Sequence, residues 1–406
     1  MNENRNREKI AFVCQRYGPE VNGGSEQYCR QIAERLAGFY DVTVYTTCAT
    51  DYMTWANRYA PGEETINGVR VKRYSVPRER RRWPFRIISA LVKRNPWHTD
   101  AAEERWVDAQ GPYCPDLIDA LRAEHRRYKA VLFMTYLYYT TVRGIALDID
   151  NAILIPTLHD EPTAYLRCYG RVFGRAGSIA WNSPEERAFA LKRFPFLKDT
   201  PGAMTGLGID VPEGALPPLP EGLEAGQYLV YAGRIDRNKG CAEMLEMFRR
   251  YKRERGGDLK LVLMGKAEMP LPDAPDIVPL GYVPEATKYA VMAGALALTL
   301  FSRFESLSIV VLESMAMGRP VLVTGHSEVL KGHCDRSGAG LYFMDYPEFA
   351  RSLDRLLAGG AAYAQMREKG RRYVEENYRW NVIVDKYRAL IERAAEGSRA
   401  SVQKDT

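Results

Sequence analysis

The stretch Phe304–Pro320 admits few folds. Ahead of it, Ala295–Leu300 is an unbroken apolar run, which reads as a buried strand. Ser306 is a candidate N-cap, so a helix is expected from Leu307 to Met317. Gly318 suits the left-handed stop after a helix, and Val321–Val323 begins another strand. Strand, loop, helix and strand in that order build a parallel sheet covered by helices. The helix is apolar nearly all round and belongs in the interior.

Two carboxylates interrupt this pattern. Glu305 lies in the loop and Glu313 within the helix. A buried carboxylate needs a partner. At helical rise the two stand roughly 12 Å apart. The helix N-terminus between them favours an anion. A ligand with hydroxyls at each end and phosphates between them, such as a nucleotide sugar, fits that layout. So does a purely structural Glu313 held in a salt bridge.

The stretch resembles the E-x7-E signature of retaining glycosyltransferases of the fourth family, which have the GT-B fold. The resemblance implies that Glu305 contacts the donor sugar and Glu313 the ribose hydroxyls. Where that family has Gly-Phe-Gly after the first glutamate, this chain has Ser306, Leu307 and Ser308. Their N–H groups remain available to the donor; the conformational freedom of glycine does not.

At 406 residues the chain is expected to form two domains. A formal net charge of +6 is too mild to point to nucleic acid, but suits an anionic ligand or membrane face. The seven cysteines are scattered, with no C-x-x-C pair, which argues against a disulfide framework or zinc site and for a reducing compartment. Met1–Lys9 has no apolar segment of a signal peptide, and no run is long enough to span a membrane. The expected location is the cytoplasm, with the inner face of the cell membrane as a further option.

In the first half, Ile10–Cys14 reads as a strand. A loop ending Val21-Asn22-Gly23-Gly24 follows, then a helix from Glu26 to Ala37 and an alternating strand, Asp41–Thr46. This is a Rossmann-like unit. Gly23 and Gly24 let backbone N–H groups approach a phosphate or sugar, although a plain turn fits them too. They are similar to the family's Gly-Gly loop, which lines the donor cleft. Ile66–Val76 reads as a turn and strand. Residues 78–95 interleave Arg78, Arg80, Arg81, Arg82, Arg86, Lys93 and Arg94 with Trp83, Phe85, Ile87, Ile88, Leu91 and Val92. Such a segment suits an anionic membrane, or a solvated helix with one face in the core. Asp100–Arg127 reads as helical, broken at Gly111-Pro112 and Pro115. Asp148-Ile149-Asp150 spells D-x-D but precedes a strand, so a turn is the better reading. His159 and Asp160 close the strand Ile153–Ile155, at the end where ligands bind in open α/β sheets. The family carries a histidine there, near the donor's anomeric centre, which implies that role for His159. Ser183 and Pro184 open a helix after the strand Ser178–Trp181.

Residues 211–226, rich in proline and glycine, read as an interdomain linker between domains at 1–210 and 227–378. In the second half, Tyr228–Ala232 restarts a strand, followed by Gly233, Arg234, Lys239 and a helix. Arg supplies a planar fork for phosphate oxygens and Lys a point charge, both at a helix N-terminus. Without the flanking glycines, two solvated charges would be the default. The text resembles the family's G-R…K-G motif, implying that Arg234 and Lys239 hold the donor diphosphate. By the same resemblance, Gly265 and Val283 lie in loops around the nucleobase. His326 reads as a polar loop residue. Helices are expected at 347–357, 363–377 and 380–395. Residues 379–406 would then cross back to the first domain and end in a polar tail.

The resemblance thus implies an α/β chain of two Rossmann-like domains facing across a cleft. It implies transfer of a hexosyl unit from a UDP- or GDP-sugar to an acceptor hydroxyl with retention, without metal or other cofactor. Arg234, Lys239, Glu305 and His159 would be catalytic. The expected acceptor is a glycan or lipid-linked intermediate in cell-surface polysaccharide or glycolipid synthesis. Alternatives are a nucleotide-sugar epimerase of the same fold and a non-catalytic donor-binding subunit.

Overall fold

The computed structural model describes residues 7–21, 23–95, 97–212 and 214–402; Asn22 and the end of the polar tail lie outside them. The chain forms two compact units, 1–207 with 384–406, and 208–383.

The first unit begins with β1 (Lys9–Val13), α1 (Gly24–Leu36) and β2 (Asp41–Thr47). A hairpin follows, β3 (Gly62–Ile66) and β4 (Val69–Tyr74). It turns on Asn67 and Gly68, whose φ of 47° and 82° suit a tight two-residue turn. Helices α2 (Arg82–Arg94), α3 (Asp100–Gln110) and α4 (Pro115–Glu124) come next. Then β5 (Ala130–Met134), α5 (Tyr139–Ile145), β6 (Ala152–Ile155), α6 (Arg167–Gly174), β7 (Ser178–Trp181), α7 (Pro184–Arg193) and β8 (Gly202–Met204) alternate. Among the described residues the sheet order is β3-β4-β2-β1-β5-β6-β7-β8, and β3–β4 is its antiparallel pairing. Because β1 lies between β2 and β5, the order reverses there, and loops leaving the carboxyl ends of β1 and β5 flank a crevice where such sheets bind ligands.

Several elements differ from the sequence reading. The helix after the Gly-Gly loop starts at Gly24, so Gly24 belongs to its first turn. The second strand is buried on both faces, as a central parallel strand must be, and its polar threonines do not mark a wet face. Pro115 opens α4 at a position where its missing N–H costs nothing. The Asp148–Asp150 segment, by contrast, is the turn expected from the sequence, with Asp148 paired to Arg175 at 2.9 Å.

The second unit runs β9 (Tyr228–Ala232), α8 (Cys241–Arg255), β10 (Lys260–Met264), β11 (Ile277–Gly281), α9 (Glu285–Gly294), β12 (Ala297–Leu300), α10 (Ile309–Ala316) and β13 (Val321–Thr324). It continues through α11 (Glu328–Ser337), β14 (Gly340–Phe343), α12 (Tyr346–Ala358), α13 (Gly360–Asn377) and the start of α14 (Trp380–Val402). Its sheet, β11-β10-β9-β12-β13-β14, is parallel throughout. The order reverses between β9 and β12, so the loops at 233–240 and 301–308 frame the crevice.

Both units are α/β and Rossmann-like. Part of the segment read as a linker packs on the second unit: Gly226 N–H donates to Gly294 O at 2.8 Å, and Lys260 Nζ donates to Gly222 O at 2.6 Å. The final helix continues to Val402, past Ala395 where the sequence reading ended it. From Val384 it belongs to the first unit, where the hydroxyls of Tyr28 and Tyr387 are 2.9 Å apart and Lys129 pairs with Glu392.

Candidate functional site

The second unit gathers three of the sequence-derived candidates at its crevice. Lys239 Nζ donates to Glu305 Oε1 at 2.9 Å, joining the loop after β9 to the loop after β12. Asp236, which the sequence reading passed over, organises the first loop. One of its oxygens accepts the Lys239 N–H at 2.9 Å, and the other pairs with Arg234 Nε. Arg234 is also 3.8 Å from Glu268, and its carbonyl is held by the Tyr231 hydroxyl at 2.7 Å. Both cations keep about a third of their side-chain surface exposed, while Glu305 is mostly covered. The arrangement offers two positive groups to a ligand and one carboxylate already engaged with one of them.

Glycines bring these loops together. A side chain at Gly265 would stand 2.0 Å from the Gly233 carbonyl, and one at Gly240 would stand 2.3 Å from Phe301 O. Gly233 and Gly265 also adopt φ of 146° and 136°, which side-chain-bearing residues rarely reach. The backbones of three loops at the carboxyl edge therefore touch without intervening side chains. Val283 is half-buried in the neighbouring loop after β11, beside an exposed Tyr282.

The central loop departs from the expected helix start. Ser306 and Leu307 remain outside the helix, and Ser308 occupies the N-cap position with φ of 62° and no side-chain capping bond. Leu307 is turned inward, and its carbonyl accepts from Nε2 of the fully buried His333 at 2.7 Å. Nδ1 of His333 lies 3.1 Å from the Tyr373 hydroxyl, so the ring braces the loop from beneath. This left-handed backbone at Ser308 is one that glycine adopts freely and serine only with strain. The Ser308 hydroxyl is buried and has no hydrogen-bond partner.

Glu313 sits apart from the Lys239–Glu305 pair, on the buried side of α10. Its Oε1 accepts from Lys288 Nζ at 2.8 Å and lies 3.3 Å from the Tyr289 hydroxyl. Burial and the Glu313 charge push the Tyr289 phenol well above its ordinary range. The structural salt bridge that the sequence left open is therefore present. Lys288, Tyr289 and His333 escaped the sequence reading because their partners are distant along the chain. An isolated Lys-Tyr pair or histidine on a helix carries no local signal.

The first unit holds its own candidates. Gly23 caps α1 above a buried ion pair, Arg16–Glu26 at 2.6 Å; a side chain at Gly23 would meet Glu26 at 2.3 Å, whereas the space over Gly24 is open. Glu26 also accepts from Gln15 and Ser25, both at 2.8 Å. His159 follows β6 with Nδ1 3.9 Å from Glu161, whose carboxylate accepts from Tyr136 at 2.8 Å. Asp160 accepts from Tyr165 at 2.8 Å. Beneath this turn, the buried Glu186 accepts from the N–H groups of Leu158 and Asn182, each at 2.6 Å. Burial outweighs those donors and pushes its carboxyl up to about 8. Ser183 Oγ accepts the Glu186 N–H at 3.1 Å and so caps α7, while the Glu186 carboxylate reaches back to the N–H groups of Asn182 and Leu158 and thereby secures the His159 turn.

Residues 226–359 match the family described as glycosyl transferases group 1. Glycosyltransferase 1 domain-containing protein 1 of Xenopus tropicalis is 27% identical over 176 residues, 40% of this chain; the match spans 49% of that protein's length. Sucrose-phosphate synthase from Thermosynechococcus elongatus superposes with a TM-score of 0.69 at 18% identity, covering 95% of this chain and 99% of that one. An E. coli trehalose-6-phosphate structure bound with UDP-2-fluoro glucose gives 0.68 at 11% identity, covering 97% and 98%. HepE of Anabaena, in complex with UDP and glucose, gives 0.62 at 13% identity, covering 94% and 98%. The fold is GT-B. Together with the family match over the second unit, it supports a glycosyltransferase.

Proposed function

We propose that this chain transfers a hexosyl unit from a nucleoside-diphosphate sugar to an acceptor hydroxyl with retention. The observation that carries this reading is the Lys239–Glu305 contact at the switch point of the second sheet, with Arg234 beside it through Asp236. Two similar structures contain UDP-2-fluoro glucose, or UDP and glucose, which favours a nucleotide-sugar donor.

In this reading the donor diphosphate lies against Arg234, Lys239 and the N-terminus of α10. Departure of the nucleoside diphosphate builds negative charge on its oxygens. Two cations and the α10 N-terminus, fixed before the reaction, stabilise that charge with little reorganisation. A bound diphosphate competes with Glu305 for Lys239, releasing the carboxylate to the sugar hydroxyls. Glu313, set in place by Lys288, receives the ribose. The N–H groups of Ser306, Leu307 and Ser308 face the donor, and Gly265 and Val283 border the base. The resemblance already drawn implies His159 for the donor's anomeric centre and the Gly23-Gly24 loop for the lining of the donor cleft. The same resemblance implies same-face attack without metal, the acceptor entering on the face the leaving group vacates. A glycan or lipid-linked acceptor, for cell-surface polysaccharide or glycolipid synthesis, completes the proposal.

The test is direct. Purified protein is screened by thermal shift against UDP- and GDP-sugars, where a bound donor raises stability. Donor turnover is then measured for Lys239→Met and Glu305→Gln. Each is expected to lose at least about a hundredfold in kcat, near 3 kcal/mol of barrier. Wild-type turnover in both variants, with folding intact, would refute the assignment.

A further inference from the structure

α2 has two apolar faces, and the core uses one. Phe85, Ile88 and Val92 pack inward; the Phe85 ring stacks on Trp106 at 6.2 Å, and Trp106 Nε1 donates to Ser89 Oγ at 2.9 Å. A surface helix with its core face satisfied is expected to be polar on the other side. Here Trp83, Ile87 and Leu91, four residues apart on the opposite stripe, are 74%, 57% and 60% exposed. Just past the helix, Trp97 is 88% exposed.

The polar residues around this stripe have one sign. The helix contains no acidic residue, and 78–95 holds seven Lys and Arg against one Glu. Arg94 falls in the stripe itself, with Arg82 and Arg86 along its edge. All three are exposed. The acidic residues of α3 do not cancel this charge, because they are engaged: Asp100 with Arg167, Glu103 with His98, and Glu104 and Asp108 with Arg143. Arg80 differs from its neighbours: its guanidinium is tied to the backbone around Met53 and anchors the segment to the unit.

We infer that the outer face of α2, with Trp97, docks on an anionic lipid bilayer. Such a surface takes an in-plane helix whose apolar stripe sinks to the headgroup–acyl boundary while long basic side chains reach up to lipid phosphates. Tryptophan suits that boundary through its apolar ring and polar N–H. The charge complementarity selects anionic lipid over a zwitterionic surface. This inference rests on α2 and its surroundings, and stands separately from the donor site.

Co-sedimentation of the full chain with vesicles of phosphatidylcholine, with and without phosphatidylglycerol, tests it. Wild-type protein should bind the anionic vesicles, lose binding as salt rises, and ignore phosphatidylcholine alone. Arg82→Gln/Arg86→Gln/Arg94→Gln should weaken binding by about a hundredfold at low salt. Trp83→Ser/Ile87→Ser/Leu91→Ser should abolish stable binding, with far-UV circular dichroism unchanged because these side chains are exposed. Tryptophan emission should shift to the blue on adding anionic vesicles to wild type, and the shift should shrink in Trp97→Ser. Binding that is equal on both vesicle types, or unchanged in the triple variants, overturns the inference. So does self-association in sedimentation velocity that the serine variant removes in the absence of lipid-dependent binding.

Discussion

Replacing Ser308 by glycine should stabilise this protein, against the usual direction of such a change. Ser308 holds φ of 62°, and its hydroxyl is buried without a partner. A left-handed backbone costs a side-chain-bearing residue about 1–2 kcal/mol. Glycine removes that strain, but its extra freedom in the unfolded chain returns about 0.4–1 kcal/mol. Loss of the unpaired hydroxyl adds about 1–2 kcal/mol, the cost of a buried group without a hydrogen bond. The net gain for Ser308→Gly is then about 2 kcal/mol, or a few degrees in Tm for the second unit. Ser308→Ala separates the two contributions. It deletes the hydroxyl but keeps the strained φ, so it should gain only about 1 kcal/mol. Urea unfolding of the unliganded chain, followed by circular dichroism at constant m, reads the difference. A Ser308→Gly variant no more stable than wild type, or less stable than Ser308→Ala, would show that the left-handed turn carries no strain. Repeating the measurement with donor bound adds a functional readout: a smaller ligand-induced shift in Ser308→Gly would mean the hydroxyl contacts the ligand.

Further outcomes follow from neighbouring features. His333→Ala removes a fully buried ring and orphans the Leu307 carbonyl, so it should lose about 3–5 kcal/mol and raise the donor KM more than it lowers kcat; His333→Gln, retaining an N–H donor, should recover part of both, and steady-state kinetics beside denaturation checks this. Gly265→Ala forces a methyl to 2.0 Å from the Gly233 carbonyl, backbone against backbone, and should leave little folded second unit by limited proteolysis. Glu186, raised to about 8 in the fold from 4.5, stabilises the protein fully below about pH 4.5 and loses that contribution as pH rises through 8. The loss is at most about 5 kcal/mol, and Glu186→Gln should lack this slope when denaturation is compared at about pH 5 and pH 8.

Local signals carried much of the architecture. Unbroken apolar runs marked the buried parallel strands, and Ser183-Pro184 marked the start of α7 because capping chemistry is written in adjacent residues. Arg234, Lys239 and Glu305 were found because a strand-to-loop boundary points to the carboxyl edge of the sheet, and the structure joins Lys239 to Glu305 there. The helix after Glu305 was misplaced by two residues because Ser306 and Ser308 are equally good caps by type. His333, on a distant helix, decides the matter by holding Leu307 back. The alternation at Asp41–Thr46 marked a strand but not its burial: its threonines alternate with apolar residues, yet both faces are covered. Lys288 gave no warning of its bond to Glu313, because that contact exists only after α9 and α10 meet.

The first unit is discontinuous in sequence, closed by α14 after the whole of 208–383 has intervened. Tyr387, Leu390 and Ile391 on that helix are fully buried. On the ribosome, the first sheet must therefore emerge and wait, its α14-facing surface uncovered, while the entire second unit is translated. Premature termination anywhere before Val384 leaves a greasy wound on the first unit that no later residue can dress, so truncated products should be chaperone clients rather than independent half-molecules.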